Sequence, residues 1–529
     1  MSLAPVERVD GDVAVIGSGF AGSLTALALL RRGRRVVLVE RGRHPRFAIG
    51  ESSTPLANLL IEELSDRYDV PRIRVFSKWG SWQKARPEVA CGLKRGFSFF
   101  FHEPGAAFGD DADHRRQLLV AASPHDEIAD MHWYRPLVDQ AFVQEAQSAG
   151  AIYLDMTRLE RIRHDGDRTT LEGEREGRSV RITAPFVIDA SGPRGFLHRT
   201  MELGEAPRRW LPPTQGLYTH FSGVERWDRL RPGPAIPPYP IDDAALHHVF
   251  PGGWIWILRF NNGLTSAGAA LTDPLAAAIG AADGAAAWDR LLASLPSVAD
   301  QFREARAELP FVHAPRLAFR SARVAGPAWA LLPSAAGVID PLLSTGFPLT
   351  LLGILRLANV LERTSTSRDR EAALVDYENT TLAELDVTEQ LVAALYATMD
   401  TPDLFKRVSL LYFAAASFSE TVRRMGRPGL APGFLLRAHP RFGPELAACA
   451  SLAASARSSS ERRALEARID SAIEPFDTAG LLDSGRRDWY PVVAADLLAS
   501  AAKLSATPDE VMRLLERTGM ASGEALRRR

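Results

Sequence analysis

Lysine is nearly missing from this chain. Of its 63 basic residues only Lys78, Lys84, Lys94, Lys406 and Lys503 are lysines, and three of these crowd into Lys78–Lys94. Where arginine is the default cation, a lysine is best explained by its amine, the group that can be tuned or can react. Cysteine is scarcer still. Cys91 and Cys449 make neither a disulfide framework nor a metal-ligand spacing, so no metal site is expected. An excess of either charge is missing too. The net charge of −1 gives no footing to nucleic acid or an anionic membrane as partner. The most apolar stretches, "PLLSTGFPLTLLGILRLANVL" and "VSLLYFAAASF", are interrupted or too short to cross a bilayer. The first residues, "MSLAPVERVDGD", carry charges instead of a signal-type apolar run, so the expected compartment is the cytoplasm. What is present is ordinary for a globular protein: 529 residues, 46% hydrophobic and 24% charged.

Hydrophobic patterning gives the organisation. "VAVIG" is a short continuous apolar run of the kind buried parallel strands need, "AGSLTALALLRR" has helical length, and "RRVVLVE" is the next strand. Together they form a βαβ unit. "APFVIDASG" and "PAWALL" add further parallel strands. "GFSFFFH", "QGLYTHFSGVE" and "HHVFPGGWIWILRFNNGLTSAG" look antiparallel, and from about residue 350 the pattern is helical to the end. The predicted fold class is α/β: a Rossmann-like domain, a second mixed or antiparallel sheet, and a helical C-terminal region. Residues 1–365 are expected to form the core and residues 366–529 the helical region.

The chemistry-bearing motifs start with "GSGFAG" (Gly17, Gly19, Phe20, Ala21, Gly22), which follows a strand and opens a helix. Glycines there let the backbone approach a pyrophosphate at the helix N-terminus. Glu40, followed by Arg41 at the end of the next strand, is placed to take ribose hydroxyls. No second such motif occurs, so one dinucleotide is expected. Further on stand "RFAIGESSTP" (Arg46, Gly50, Glu51, Ser52), "VIDASG" (Asp189, Gly192), "GGWIWIL" (Trp254, Trp256) and "IDPLLSTG" (Asp340, Leu343, Ser344, Thr345, Gly346).

In this order, over about residues 11–365, these motifs resemble the flavin-dependent halogenases, within the flavoprotein monooxygenases. The resemblance implies that the Rossmann-like core, residues 1–365, is an FAD-binding domain with FAD segments at about 11–60, 180–200 and 325–350. It implies a substrate-side sheet at about 92–135 and 210–320, with the helical residues 366–529 covering the substrate. It also implies reduced FAD supplied by a separate reductase, O2, and chloride or bromide held near the flavin. It implies hypohalous acid passed through a tunnel to a lysine, which presents electrophilic halogen to an electron-rich aromatic ring, free or tethered to a carrier protein. Asp340 and Ser344-Thr345-Gly346 match the turn whose amides cradle the halide, and an anion nest at a helix N-terminus suits a shapeless anion. The same turn also serves as a helix cap in flavoproteins that never halogenate. Lys94 in "LKRGFSFF" fits the family's K-x-G-x-x-F pattern; Lys78 in "SKWGSW" is the rival.

Three departures stand out. Ser334 replaces the Asp that usually binds the ribityl chain. Leu258-Arg259 ends the W-x-W-x-I-P motif differently. Leu343 stands where tryptophan halogenases carry a catalytic Glu, which points away from free tryptophan and towards a phenol-like ring. Trp254 and Trp256 suit a tunnel wall or plain core, and Arg135 contacts the cofactor or pairs with Asp139. His247-His248 are polar pocket candidates. Two other readings stay open: a monooxygenase or oxidoreductase of this fold without halogenation, and a flavoprotein that has lost catalysis.

Overall fold

The computed structural model describes residues 6–520 apart from 110, 167, 234, 365 and 366. Its centre is a six-stranded sheet in which the all-apolar strand Val13–Ile16 lies between Phe186–Asp189 and Val36–Val39, all parallel. Trp329–Leu331 and Ile152–Leu154 extend the parallel set on either side. The helix Phe20–Leu30 is buried along almost its whole length, from Phe20 to Leu29, because Arg135–Ser148 and Gly346–Arg363 pack against it. A helix covered on all sides reads as uniformly apolar, as its sequence does.

The predicted second sheet is present and larger than its motifs suggested. Thr214–Ser222, Thr265–Thr272, Gly253–Arg259 and Ala245–Phe250 run antiparallel in that order. Ala245–Phe250 then pairs in parallel with the aromatic strand Gly96–Phe101, which pairs antiparallel with Gln117–Ala121. Two features escaped the sequence patterning. A four-stranded sheet, Glu7–Asp10, Arg178–Ala184, Arg168–Arg175 and Thr157–Asp165, stands beside the parallel sheet. The helical C-terminal region also lends a two-residue strand, Trp489–Tyr490, to the edge of the large sheet beside Leu119–Val120.

That region is otherwise built of helices, the longest being Ser367–Tyr396 and Pro402–Arg424. Both pack into the same hydrophobic core as the parallel sheet. Among the described residues, no helix is long and apolar enough to cross a membrane.

Candidate active site

A cleft of about 1530 Å³ opens along the C-terminal edge of the parallel sheet, where open α/β sheets bind their ligands. Gly17, Gly19, Phe20, Ala21, Glu40 and Arg41 line one end. Gly17 sits at φ +94°, and a Cβ on Gly22 would fall 1.8 Å from the Gly17 carbonyl oxygen, so both glycines are dictated by the close strand–helix turn. Glu40 is fixed rather than free. Its carboxylate accepts from the Ser18 N–H and Oγ, from Gly42 N–H and from Arg46 Nη2 at 3.0–3.1 Å. Burial alone would raise its pKa, but Arg46 and these donors bring it below the usual carboxylate value.

The Gly50-Glu51-Ser52 turn forms the next stretch of wall. Arg135 pairs with Asp139, one of the two roles expected of it, and lines the cleft as well. Its guanidinium grips Asp139 through two bonds of 2.8 and 2.9 Å, and Nη1 donates to the Ile49 and Gly50 carbonyls at the cleft wall. Asp139 in turn accepts from Phe20 N–H, so one ion pair ties the glycine-turn helix to the Glu51 turn. Glu51 Oε1 accepts from His220 Nε2 at 2.8 Å, while Glu51 Oε2 and Ser52 Oγ are buried with no partner among the described residues.

At the far end the chain turns sharply, with Ser344 left-handed at φ +53°, into the helix Gly346–Arg363. Ser344, Thr345 and Gly346 all line the cleft, and the first amides of a helix lack intrahelical acceptors. Asp340 shapes this elbow by accepting from Leu342 N–H at 3.0 Å and from Tyr396 Oη at 2.8 Å. Tyr396 Oη accepts from Trp254 Nε1 at 3.2 Å. Burial pushes the Asp340 carboxyl up to about 7 against the lowering effect of those donors. Ser334, on the short helix Pro333–Ala336, also faces the cleft, and its buried Oγ has no partner among the described residues.

From the cleft a file of rings leads inward. Trp256 and Trp254 lie 5.6 Å apart, Trp254 and His247 5.2 Å, and His247 stacks on Phe99 at 4.5 Å. Phe97 stacks next to Phe99, and Lys94 Nζ sits 3.9 Å from the centre of the Phe97 ring. Lys94 is fully buried and donates to the Ser53 carbonyl at 2.5 Å, directly after the Glu51 turn. On its other side a second cavity of about 130 Å³ lies under the helix Pro402–Arg424, with Phe97, Pro348, Tyr412, Phe413 and Phe434 in its walls. Lys94 lines neither cavity itself but sits behind the walls of both: its acceptor Ser53 lies between Ser52 of the cleft and Thr54 of the chamber, and Phe97 under its Nζ is a chamber wall. Burial lowers its pKa and the neighbouring Asp130 carboxylate raises it, with a net fall. Lys78 lines neither cavity; it is partly exposed, 3.9 Å from Glu62, and lines a small void that Asp130 also lines.

Most of the residues singled out by sequence meet in the cleft: Arg46, Gly192, Trp254, Trp256, Asp340 and those named above. Three expected there do not line it: Gly22, which packs against the Gly17 carbonyl behind the turn, and two residues spent on the fold. Asp189 is buried and spends its carboxylate on Ser191 and on the Leu197 N–H, capping a short helix. Leu343 is fully buried in the core, because the left-handed Ser344 turns the chain after it. The variant end of the tryptophan motif has a plain explanation: Leu258 lines the cleft, and Arg259 bonds Asp242 and the Val224 carbonyl. The two adjacent histidines separate. His247 belongs to the ring file, whereas His248 bonds His102 and Gln301 in a different core.

Asp130, His132 and Tyr396 went unnoticed. "DMHW" alternates polar and apolar like a half-exposed strand, yet all four residues are buried, so periodicity pointed the wrong way.

The match to known proteins agrees with this geometry. The family described as "FAD dependent oxidoreductase" matches residues 12–317. The chain is 32% identical over 395 residues to the monodechloroaminopyrrolnitrin halogenase PrnC of Pseudomonas fluorescens, covering 73% of this chain and 67% of that protein. It is 32% identical over 345 residues to the tetracycline 7-halogenase of Kitasatospora aureofaciens, covering 63% of this chain but only 60% of that protein. The crystal structure of halogenase PltM in complex with phloroglucinol and FAD superposes with a TM-score of 0.80 at 24% identity, over 90% of this chain and 99% of that one, a likeness of fold.

Proposed function

The chain belongs to the FAD-dependent oxidoreductases and, among them, to the flavin-dependent halogenases, and from that premise we propose that Lys94 delivers the halogen to a small phenol-like ring. As a member of that family it is an enzyme that uses reduced FAD, O2 and a halide to halogenate an aromatic substrate. The carrying observation is the position of Lys94, a buried amine between a dinucleotide-sized cleft and a ring-sized chamber.

The residues fit the cofactor. Gly17 and Gly22 leave no side chain in the turn, and the orphaned Ser334 Oγ, Ser52 Oγ and Glu51 Oε2 line the cleft with hydrogen-bonding capacity unspent. Glu40 and Arg41 would hold the ribose end of FAD, the N-terminus of Phe20–Leu30 the pyrophosphate, and Ser334 the ribityl chain. When bound and reduced, FAD supplies the electrons that turn O2 and halide into hypohalous acid. Ser344, Thr345 and Gly346 would hold the halide at the helix N-terminus, and the tight elbow leaves no side chain at Gly346 to crowd it.

The ring file then keeps bulk water from the oxidant on its way to Lys94, whose ammonium hydrogen-bonds the hypohalous oxygen and turns the halogen towards the chamber. An apolar cavity of about 150 Å³ holds a benzene ring, so a chamber of about 130 Å³ suits one aromatic ring. A separate reductase is the expected partner. Whether the ring arrives free or on a carrier is tested by offering both. The deciding experiment supplies the purified protein with a flavin reductase, bromide and a panel of phenols. A brominated phenol that requires bromide supports the reading, and hydroxylated product independent of halide would replace it with a monooxygenase.

A further inference from the structure

We propose that Asp130 is the positioning residue for Lys94, holding the buried amine in its charged, proton-donating form so that the two act as one unit. The proposal rests on the reading of Lys94 above. Lys94 and Asp130 are directly opposed across the antiparallel pair Cys91–Lys94 and Asp130–Trp133. An unpaired ammonium at such a site would shed its proton, because burial disfavours the charged form. The hydrogen-bond partner of Lys94 is a neutral carbonyl, and no carboxylate among the described residues comes within ion-pair reach of 4.0 Å. Asp130 is the mirror case. It is buried, Oδ1 accepts from Asn58 Nδ2 at 2.6 Å, and Oδ2 is buried without a partner among the described residues.

The other groups facing the pair are already accounted for. From the large sheet comes His247, and from Asp130's own strand His132, both held neutral by burial and by Lys94, down at about 3. From the helix Pro402–Arg424 come Tyr412, kept un-ionised by burial, and Glu420 with Arg424, which are bonded to each other. Lys78 faces Glu62. That leaves Asp130 as the carboxylate whose charge answers Lys94. Burial lowers the one and raises the other, with each opposing the shift of its partner.

A polar void of about 20 Å³, lined by Asp130, Asn58, Ser123 and Glu420 and by the cations Lys78 and Arg424, each of which has its own carboxylate in Glu62 or Glu420, is large enough for a water and shares Glu420 with the chamber. In the step served, the carbon–halogen bond forms as the oxygen–halogen bond of hypohalous acid breaks. The hydroxyl leaves as water with a proton from Lys94, and the proton lost by the ring reloads the Lys94–Asp130 pair, so ring and hypohalous acid become halogenated ring and water.

Five lysines make the test direct. In FAD-loaded protein carrying ¹³Cε-lysine, the Lys94 signal, assigned by its loss in Lys94→Met, is titrated in wild type, Asp130→Asn and Asp130→Glu. Asp130→Asn should lower the Lys94 midpoint by about one pH unit or more and move the basic limb of ring halogenation down with it. O2 consumption by reduced flavin should stay unchanged, and Asp130→Glu should restore the limb. A Lys94 signal that titrates in Asp130→Asn as in wild type overturns the proposal. Should that variant fail to fold, Asn58→Ala, which strips Asp130 of its donor, should move the midpoint in the same direction, and no movement again overturns it. A shifted midpoint in a protein that never halogenates supports the pairing and overturns the functional reading instead.

Discussion

A primary amine sealed from water between two cavities is an expensive thing to bury, and its cost marks it out from the other four lysines. Lys78 and Lys84 have acidic neighbours and solvent, Lys503 caps carbonyls at the surface, and Lys406, also buried, is bonded to Asp488. Lys94→Ala should therefore abolish halogenated product while reduced flavin still consumes O2, read by parallel oxygen-electrode and product assays. Lys94→Arg should fail too, since a guanidinium cannot reproduce the point donor in that space. Lys78→Ala should keep activity within a few-fold, and the reverse ranking would move the role to Lys78. At the other end of the cleft, Gly19→Asp would crowd the Arg135–Asp139 pair, whose atoms lie 3.3 and 3.4 Å from the new Cβ, and set a carboxylate against a pyrophosphate. FAD binding followed by absorbance near 450 nm should vanish, and undiminished affinity would sink the cofactor assignment. Both of these residues were legible in the sequence because a rare residue type or a special backbone turn announces itself. Asp130 was not, because an aspartate becomes informative only when the lysine across the ladder is known.

At the level of elements, the βαβ opening was legible because buried parallel strands and a covered helix leave unbroken apolar runs. The Trp489–Tyr490 strand was not, since two residues carry no period and their pairing is decided by the sheet edge they meet. Burial of polar side chains in the large sheet has a further consequence. His132, His247 and His248 are pushed down to about 3 by burial, well below the ordinary value near 6.5. Below pH 6.5 the unfolded chain takes protons that the folded sheet refuses, so each costs roughly 1.4 kcal/mol per pH unit until the folded value is reached. Asp340 and Asp130, raised to about 7, and Asp189, Asp242 and Asp488, also raised by burial, work in the opposite sense, as the folded state keeps protons the unfolded state releases, so the test is the change that one ring makes. Between pH 6.5 and pH 4, His248→Gln, outside the cleft, should change the pH dependence of unfolding free energy by about one proton relative to wild type, in the direction of greater relative stability at low pH. Parallel profiles for the two proteins would show that this ring titrates in the fold. The long helix Ser367–Tyr396 reaches the elbow through the Tyr396 hydroxyl, so Tyr396→Phe takes the acceptor from Trp254 Nε1 and leaves Asp340 with the Leu342 N–H in place of two donors. We expect a loss of about 1–3 kcal/mol in chemical denaturation.

Taken whole, the proposed function has the molecule separate the making of an oxidant from its use. The cleft lies along the parallel sheet, the chamber lies under the helical C-terminal region, and the packed rings with Lys94 stand between their walls. Electrophilic substitution needs a ring rich in electrons and a way to shed a proton. Leu343 bears on neither, being buried in the core, so the case against free tryptophan now rests on the chamber itself. Its 130 Å³ fits one ring, with an indole and its amino-acid tail exceeding it. Phe97, Phe413 and Phe434 offer it faces and edges, while Ser419, with its buried Oγ unpartnered among the described residues, and Glu420 offer acceptors for a ring hydroxyl. A phenol brings its own activation and the donor those acceptors lack. Monocyclic phenols should therefore be halogenated ortho or para to the hydroxyl and faster than pyrroles, with free tryptophan last, in a competition assay with bromide and a partner reductase. Enlarging the chamber should relax that order: Phe413→Ala removes an aromatic wall away from Lys94 and should admit two-ring phenols while slowing single-ring ones. Free tryptophan outpacing every phenol in the unaltered protein, or Phe413→Ala leaving the order untouched, would mean that the ring binds somewhere other than this chamber.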